Sequence, residues 1–271
     1  MGYRVVVTDL DGTLLDHGTY SWDCARPALD RLHAENIPCI FATSKTRAEV
    51  EHLRREMGNT HPFIVENGGA LVVPQDYFPA ALPNGTVRGG AITIEWGTAY
   101  AILVEALRRA AERTGYKVRG FSEMSVAEVA RVCNLSQEQA RLAKMREYDE
   151  PFVVLARTRA GSLRAAIEAQ GFCWTSGGRL HHITGENDKG RAVRTLMELY
   201  RQAYGDVVSI GLGDSLNDMP LLENVTFPVV MPSRHAAEVR RQVPRAALAD
   251  RHGPEGWNRA VLSLVSTQPL P

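Results

Sequence analysis

Val5-Val6-Val7-Thr8-Asp9-Leu10-Asp11-Gly12-Thr13 runs from a β-branched apolar stretch into two carboxylates and a glycine turn. The apolar run has the make-up of a short buried strand, stopped by the acidic turn. Asp9 and Asp11 stand two residues apart, so on extended backbone both carboxylates point to one side. They meet at the carboxyl end of a strand, where open α/β sheets hold their ligands. Like charges at that spacing repel unless a cation or a shared proton relieves them. Gly12 allows a sharp turn, and Thr13 adds a hydroxyl and an N–H beside the acids. D-G is also an ordinary turn pair, and later segments of the chain decide between a turn and a site.

Outward from this strand, strands alternate with helices. Trp22, Ala25, Leu29 and Leu32 recur at helical spacing. Pro38 to Ala42 reads as a second buried strand, and Thr46 to Met57 as an amphipathic helix closed by Gly58. Phe63 to Val65 reads as a third strand. This βαβαβ order predicts a parallel sheet with helices on both faces. After residue 75 the pattern changes. Pro79, Pro83, Gly85, Gly89 and Gly90 suggest a linker. A helix is expected over Ala99 to Thr114, and capping boxes at Ser125 and Ser136 open two more. Strands are expected at Phe152 to Ala156, Phe172 to Thr175 and Leu180 to Thr184, with a helix at Leu163 to Ala169. The alternation resumes with a helix from Asp188 to Tyr204, strands at Val207 to Leu212 and Phe227 to Met231, and a helix at Trp257 to Val265. Gln268 to Pro271 is expected to fray. The expected fold is α/β: a Rossmann-like parallel-sheet core of residues 1–84 and 185–271, interrupted by an α/β domain at 85–184.

Composition narrows the function. The chain has 271 residues, 44% hydrophobic and 23% charged, and its formal net charge is zero. That balance gives no support to a nucleic-acid or membrane-surface partner. Cys24, Cys39, Cys133 and Cys173 are scattered without metal-ligand spacing, which fits a reducing cytoplasm. The first strand begins almost at Met1, where a secretory leader has no room. No apolar run approaches membrane-spanning length.

Three further segments carry chemistry. Thr43-Ser44-Lys45-Thr46 follows the second strand and opens a helix, and its hydroxyls and freed N–H groups suit an anion. Lys189 stands at a helix start, where the dipole disfavours a cation unless an anion is near. Gly211-Leu212-Gly213-Asp214-Ser215-Leu216-Asn217-Asp218 ends another apolar strand with acids and an amide, donors that suit a hard cation such as Mg²⁺. One scheme unites them. Asp9 attacks phosphorus and becomes an aspartyl phosphate. Asp11 protonates the leaving oxygen and then activates water. Mg²⁺, Thr43 and Lys189 offset the remaining charge.

D-x-D-G-T, a strand-end Thr, a later Lys and G-D-x-x-N-D, in that order, resemble the haloacid dehalogenase superfamily of phosphatases. The insertion resembles that superfamily's C2-type (C2B) cap. Tyr20-Ser21-Trp22, Thr43 to Val50, Phe63 to Ala70, Arg146 to Glu150, Gly177-Gly178-Arg179 with His182, and Gly253 to Trp257 further resemble the mannosyl-3-phosphoglycerate phosphatases. The resemblance implies a Mg²⁺-dependent enzyme acting on a small phosphorylated glycosyl-glycerate, with mannosylglycerate, a compatible solute, as product. The glucosyl counterpart is an alternative substrate. It implies Asp9 as nucleophile and metal ligand, Asp11 as acid/base with its carbonyl on the metal, and Asp214 as the other metal ligand. Thr43 and Lys189 match the phosphate positions, with Asp218 and Asn217 behind them and Asp218 orienting Lys189. Ser44, Lys45, Asn67, Arg146, Arg179 and His182 are the remaining substrate candidates. Tyr148, Asp149 and Glu150 are candidates to accept sugar hydroxyls. A broad sugar-phosphate phosphatase, a phosphomutase and a catalytically silent binding module remain as alternatives.

Overall fold

The computed structural model describes residues 2–79, 82, 84–156, 161–177 and 180–266. Strand β1 (Tyr3–Thr8) lies in the interior of a nine-stranded sheet. Parallel partners flank it: β2 (Cys39–Ala42) and β3 (Phe63–Val65) on one side, then β11 (Val207–Gly213), β12 (Phe227–Val230) and β13 (Ala247–Leu248) on the other. The chain order reverses at β1, so the loop after it lies at the sheet's switch point.

The apolar run of β1 alternates between the two faces, as extended backbone requires. Val6 packs with Leu10, Phe41, Phe63 and Trp257 on one face. Helices α1 (Arg26–Ala34), α2 (Arg47–Glu56) and α10 (Gly253–Ser266) accompany that side. Val5 and Val7 pack with Ile40, Ile64, Leu196 and Tyr200 on the other, which is covered by α7 (Lys189–Tyr204), α8 (Met219–Glu223) and α9 (Ala236–Gln242). Trp257, fully buried, donates its indole N–H to Thr8 Oγ1 at 2.9 Å and so ties the last helix to the strand that bears Asp9.

The interval read as a linker extends the sheet instead. β4 (Ala70–Pro74) pairs antiparallel with β3, β6 (Ala91–Glu95) with β4, and β5 (Thr86–Arg88) with β6. Gly89 and Gly90, both at positive φ, turn the β5–β6 hairpin. Residues 86–95, placed in the insertion by the sequence reading, therefore belong to the large sheet. Their turn residues mask the alternation of Ile92 and Ile94.

The second sheet is antiparallel, in the order β7 (Lys117–Gly120), β8 (Asp149–Ala156), β10 (Leu180–Thr184), β9 (Cys173–Gly177). Helices α3 (Tyr100–Thr114) and α6 (Leu163–Glu168) pack on it through Leu103, Leu107 and Ile167 against Phe152 and Ile183. α4 (Val126–Cys133) and α5 (Gln137–Ala143) both begin with the expected capping boxes, at Ser125 and Ser136. β8 starts three residues before the expected strand, which places Asp149 and Glu150 within the sheet. Helix α10 starts at Gly253, ahead of Trp257. Among the described residues no helix is long and apolar enough to cross a membrane. Gln268 to Pro271 and Arg179 lie outside the described residues.

Candidate active site

Asp9 follows β1, with its N–H donated to Leu212 O at 2.9 Å. Its carboxylate reaches Lys189 Nζ at 2.9 Å, and the same ammonium lies 2.6 Å from Asp218 Oδ1. Asp218 Oδ2 in turn accepts the N–H groups of Asp214 and Ser215, each at 3.1 Å. Asp218 is thereby held in place, and Lys189 stands between two carboxylates with 1% of its surface exposed.

Charge in this corner does not balance. Burial and the neighbouring Asp218 push Asp9 well above the usual carboxylate range, while Lys189 pulls the other way. Asp214 is pushed up to about 7, first by burial and then by Asp218. Burial works against the Lys189 ammonium, but Asp218 and Asp9 outweigh it and hold it above the ordinary lysine range. Carboxylate oxygens of Asp9, Asp214 and Asp218 all lie within 4.8 Å of one another. An all-oxygen donor set carrying excess negative charge fits a hard divalent cation. Gly12 sits at φ +81°, and a Cβ there would meet Asp214 Oδ2 at 2.9 Å, so the turn after Asp11 needs glycine twice over.

The second segment opens a helix at Thr46, as expected. The capping box of α2 is formed by Thr46 and Glu49, which satisfy each other's N–H groups. Thr43, three residues earlier, is fully buried, and its hydroxyl accepts the Lys45 N–H at 3.2 Å. Ser44 and Lys45, in the loop ahead of the helix, line the cavity. Lys45 Nζ lies 2.9 Å from Asp11 and 3.8 Å from Glu49, over the ring of Tyr20. Burial opposes its charge, and Asp11 followed by Glu49 raises it.

From the small sheet, His182 Nδ1 lies 2.8 Å from Asp149 Oδ1, and Asp149 Oδ2 accepts Asn67 Nδ2 at 2.9 Å. Asn67 Oδ1 accepts Asn217 Nδ2 at 3.0 Å. Arg146 is already engaged: it donates to Ser44 O at 2.7 Å and Ala143 O at 2.9 Å, and lies 4.0 Å from Glu49. Two cap candidates point elsewhere. The Tyr148 hydroxyl pairs with Glu95 on β6. Glu150 accepts the Tyr100 hydroxyl and the Ser122 N–H and hydroxyl, inside the small sheet's own packing. The strand expected from the sequence starts at Phe152, which leaves out the alternation that sends Asp149 and Glu150 to opposite faces.

Glu66 holds the junction between the two sheets, a role sequence reasoning missed. Its carboxylate accepts the N–H groups of Glu147 at 2.9 Å and Tyr148 at 2.8 Å. Burial is the largest influence and pushes it up to about 8, against the pull of Arg146. The one signal was a charged residue in the turn Glu66-Asn67-Gly68-Gly69 between two apolar strands. Glu66 and Asn67 both take positive φ, an unusual pairing for residues with side chains.

These groups surround a cavity of about 640 Å³, lined from the large sheet by Asp9, Asp11, Lys45, Asn67 and Asp214 and from the small sheet by Arg146 and His182. A volume of this size suits a small-molecule substrate. A buried carboxylate beside an ammonium, with more acids able to hold a cation, is equipped for attack on phosphorus.

Residues 6–80 match a family model described as haloacid dehalogenase-like hydrolase. A haloacid dehalogenase-like hydrolase from B. subtilis shares the fold, with TM-score 0.67 at 14% identity over 97% of this chain and 99% of its own. A glucosyl-3-phosphoglycerate/mannosyl-3-phosphoglycerate phosphatase of Methanococcoides burtonii is 44% identical over 97% of each chain. A mannosyl-3-phosphoglycerate phosphatase of Pyrococcus furiosus is 35% identical over 83% of this chain and 89% of its own. The chain belongs to this glucosyl-3-phosphoglycerate/mannosyl-3-phosphoglycerate phosphatase family.

Proposed function

We propose that the protein hydrolyses 2-O-mannosyl-3-phosphoglycerate, and its glucosyl counterpart, to the glycosylglycerate and phosphate through a phosphoryl group carried on Asp9. The observation that supports this most is the placement of Asp9: buried at the switch point, 2.9 Å from Lys189, and open to a cavity shared with the small sheet. Attack by Asp9 on phosphorus forms an acyl phosphate and breaks the bond to the leaving oxygen. Asp11, lining the same cavity, gives that oxygen a proton and then takes one from the water that cleaves the acyl phosphate. Lys189 neutralises charge as it builds on phosphorus, and Asp218 keeps the ammonium aimed at Asp9. Asp9, Asp214 and the backbone of Asp11 would hold Mg²⁺, which supplies positive charge to the phosphoryl oxygens.

The cysteines are free thiols, which suits the cytoplasm, the compartment proposed here. The cap comprises the small sheet and its helices, and it selects the leaving group. Phosphate release with Mg²⁺ on mannosyl-3-phosphoglycerate, glucosyl-3-phosphoglycerate and mannose 6-phosphate tests the reading. The glycosylated phosphoglycerates should lead clearly; an equal rate on the simple sugar phosphate would make the enzyme a broad phosphatase.

A further inference from the structure

The polar groups form one unbroken chain from the small sheet to the reacting carboxylate. It starts at His182 on β10, passes to Asp149 on β8, and crosses to Asn67 at the end of β3. Asn67 continues it to Asn217, whose amide oxygen accepts the Ser215 hydroxyl. Ser215 touches Asp218, and Asp218 holds Lys189 against Asp9. Within this chain the Asn67–Asp149 bond is the joint between the two sheets.

Asp149 is fully buried. Burial alone would raise its carboxyl, but His182, Arg146 and Asn67 outweigh burial and hold it below the usual range. An ionised carboxylate at Nδ1 fixes that nitrogen as the donor. Nε2 is then the ring nitrogen left to pair with a ligand in the cavity that His182 lines. A sugar hydroxyl can meet that nitrogen as donor or as acceptor.

We propose that His182 receives a sugar hydroxyl of the leaving group, and that Asp149 and Asn67 are positioning residues which fix that imidazole relative to Asp9. The proposal rests on the glycosylated substrate named above, and it assigns sugar selectivity to the Asp149–His182 pair.

The test compares kcat/KM on mannosyl-3-phosphoglycerate and on 3-phosphoglycerate, which keeps the carboxylate and the phosphoester but has no sugar, for wild type, His182→Asn, His182→Gln and Asp149→Asn. Asn keeps a donor where Nδ1 stood and leaves nothing at Nε2; Gln does the reverse. The ratio of the two kcat/KM values should fall about tenfold or more in His182→Asn and Asp149→Asn, and recover in part in His182→Gln. Equal losses on both substrates would reduce the pair to a structural role and overturn the proposal. So would an unchanged ratio. If Asp149→Asn fails to fold, the contrast between the two His182 variants decides alone. A wild type active on 3-phosphoglycerate but inert on both glycosylated phosphoglycerates would instead overturn the substrate assignment itself.

Discussion

Lys189 Nζ and Asp218 Oδ1 meet at 2.6 Å, with side chains 1% and 0% exposed. A buried ion pair of this kind is costly to desolvate and costlier to break, because the survivor is left charged and unpaired. Asp218 offsets this with two backbone N–H groups on its other oxygen. The pair aims a permanent cation at Asp9. Lys189→Met should therefore cost about 3–5 kcal/mol in folding stability as well as abolishing turnover. Urea unfolding checks it; a loss under about 1 kcal/mol, within the range of exposed ion pairs, would show that the pair is not truly desolvated.

Asp9, Asp214 and Asp218 carry more negative charge than Lys189 offsets. A divalent cation should relieve that repulsion and bind only the folded state. Mg²⁺ is expected to raise the thermal midpoint, by the equivalent of about 2.7 kcal/mol at a hundredfold excess over its Kd. Asp214→Asn should lose most of the shift. A wild type whose melting is indifferent to Mg²⁺ and to chelator would contradict a cation site here.

Glu66 offers a pH signature away from the acid cluster. Its folded-state carboxyl is raised from 4.5 to about 8, chiefly by burial, with Arg146 lowering it and Asp149 raising it. The folded state therefore holds the proton more tightly than the unfolded chain. The resulting stability is full below the unfolded value and is lost as pH rises through about 8. With Mg²⁺ saturating, stability should fall by a few kcal/mol between mildly acidic and mildly alkaline pH. Glu66→Gln should flatten that slope. A slope identical in wild type and Glu66→Gln would rule out this assignment.

Gly68 turns at φ +89°, and a Cβ there would lie 2.4 Å from the Asp188 carbonyl carbon, beside the start of α7. Gly68→Ala should cost more than about 1 kcal/mol, the penalty of positive φ alone, because backbone must also move. Since Asp188 precedes Lys189, the phosphatase rate should fall with the stability. Calorimetry paired with a rate assay tests this; full stability with full rate would show that the turn absorbs the methyl freely.

Much of this was legible in the chain. Val5 to Val7 gave the central strand because burial on both faces demands a continuous apolar run. The capping boxes at Ser125 and Ser136 gave two helix starts because that chemistry is local. The family resemblance pointed to Asp9, Asp214, Thr43 and Lys189, and the structure brings Asp9, Lys189, Asp214 and Asp218 into one corner from elements about 180 residues apart. What stayed hidden was non-local. The β5–β6 hairpin looked like a linker because Gly89 and Gly90, with Pro79 and Pro83 ahead of it, crowd a short interval. Asp149 and Glu150 are adjacent acids whose different partners follow from strand alternation and from the seam between two sheets. Glu66 acts through backbone N–H groups of residues some 80 positions away, and no sequence pattern records such a bond.

The most direct test of the account is a single-turnover acid quench of wild type and Asp9→Asn side by side, with mannosyl-3-phosphoglycerate and Mg²⁺, and then peptide mass mapping. The account predicts a transient phosphate adduct on the peptide bearing Asp9 in wild type, and neither adduct nor phosphate release in the folded variant. An adduct on another residue, or a single-turnover rate that survives Asp9→Asn, would contradict it.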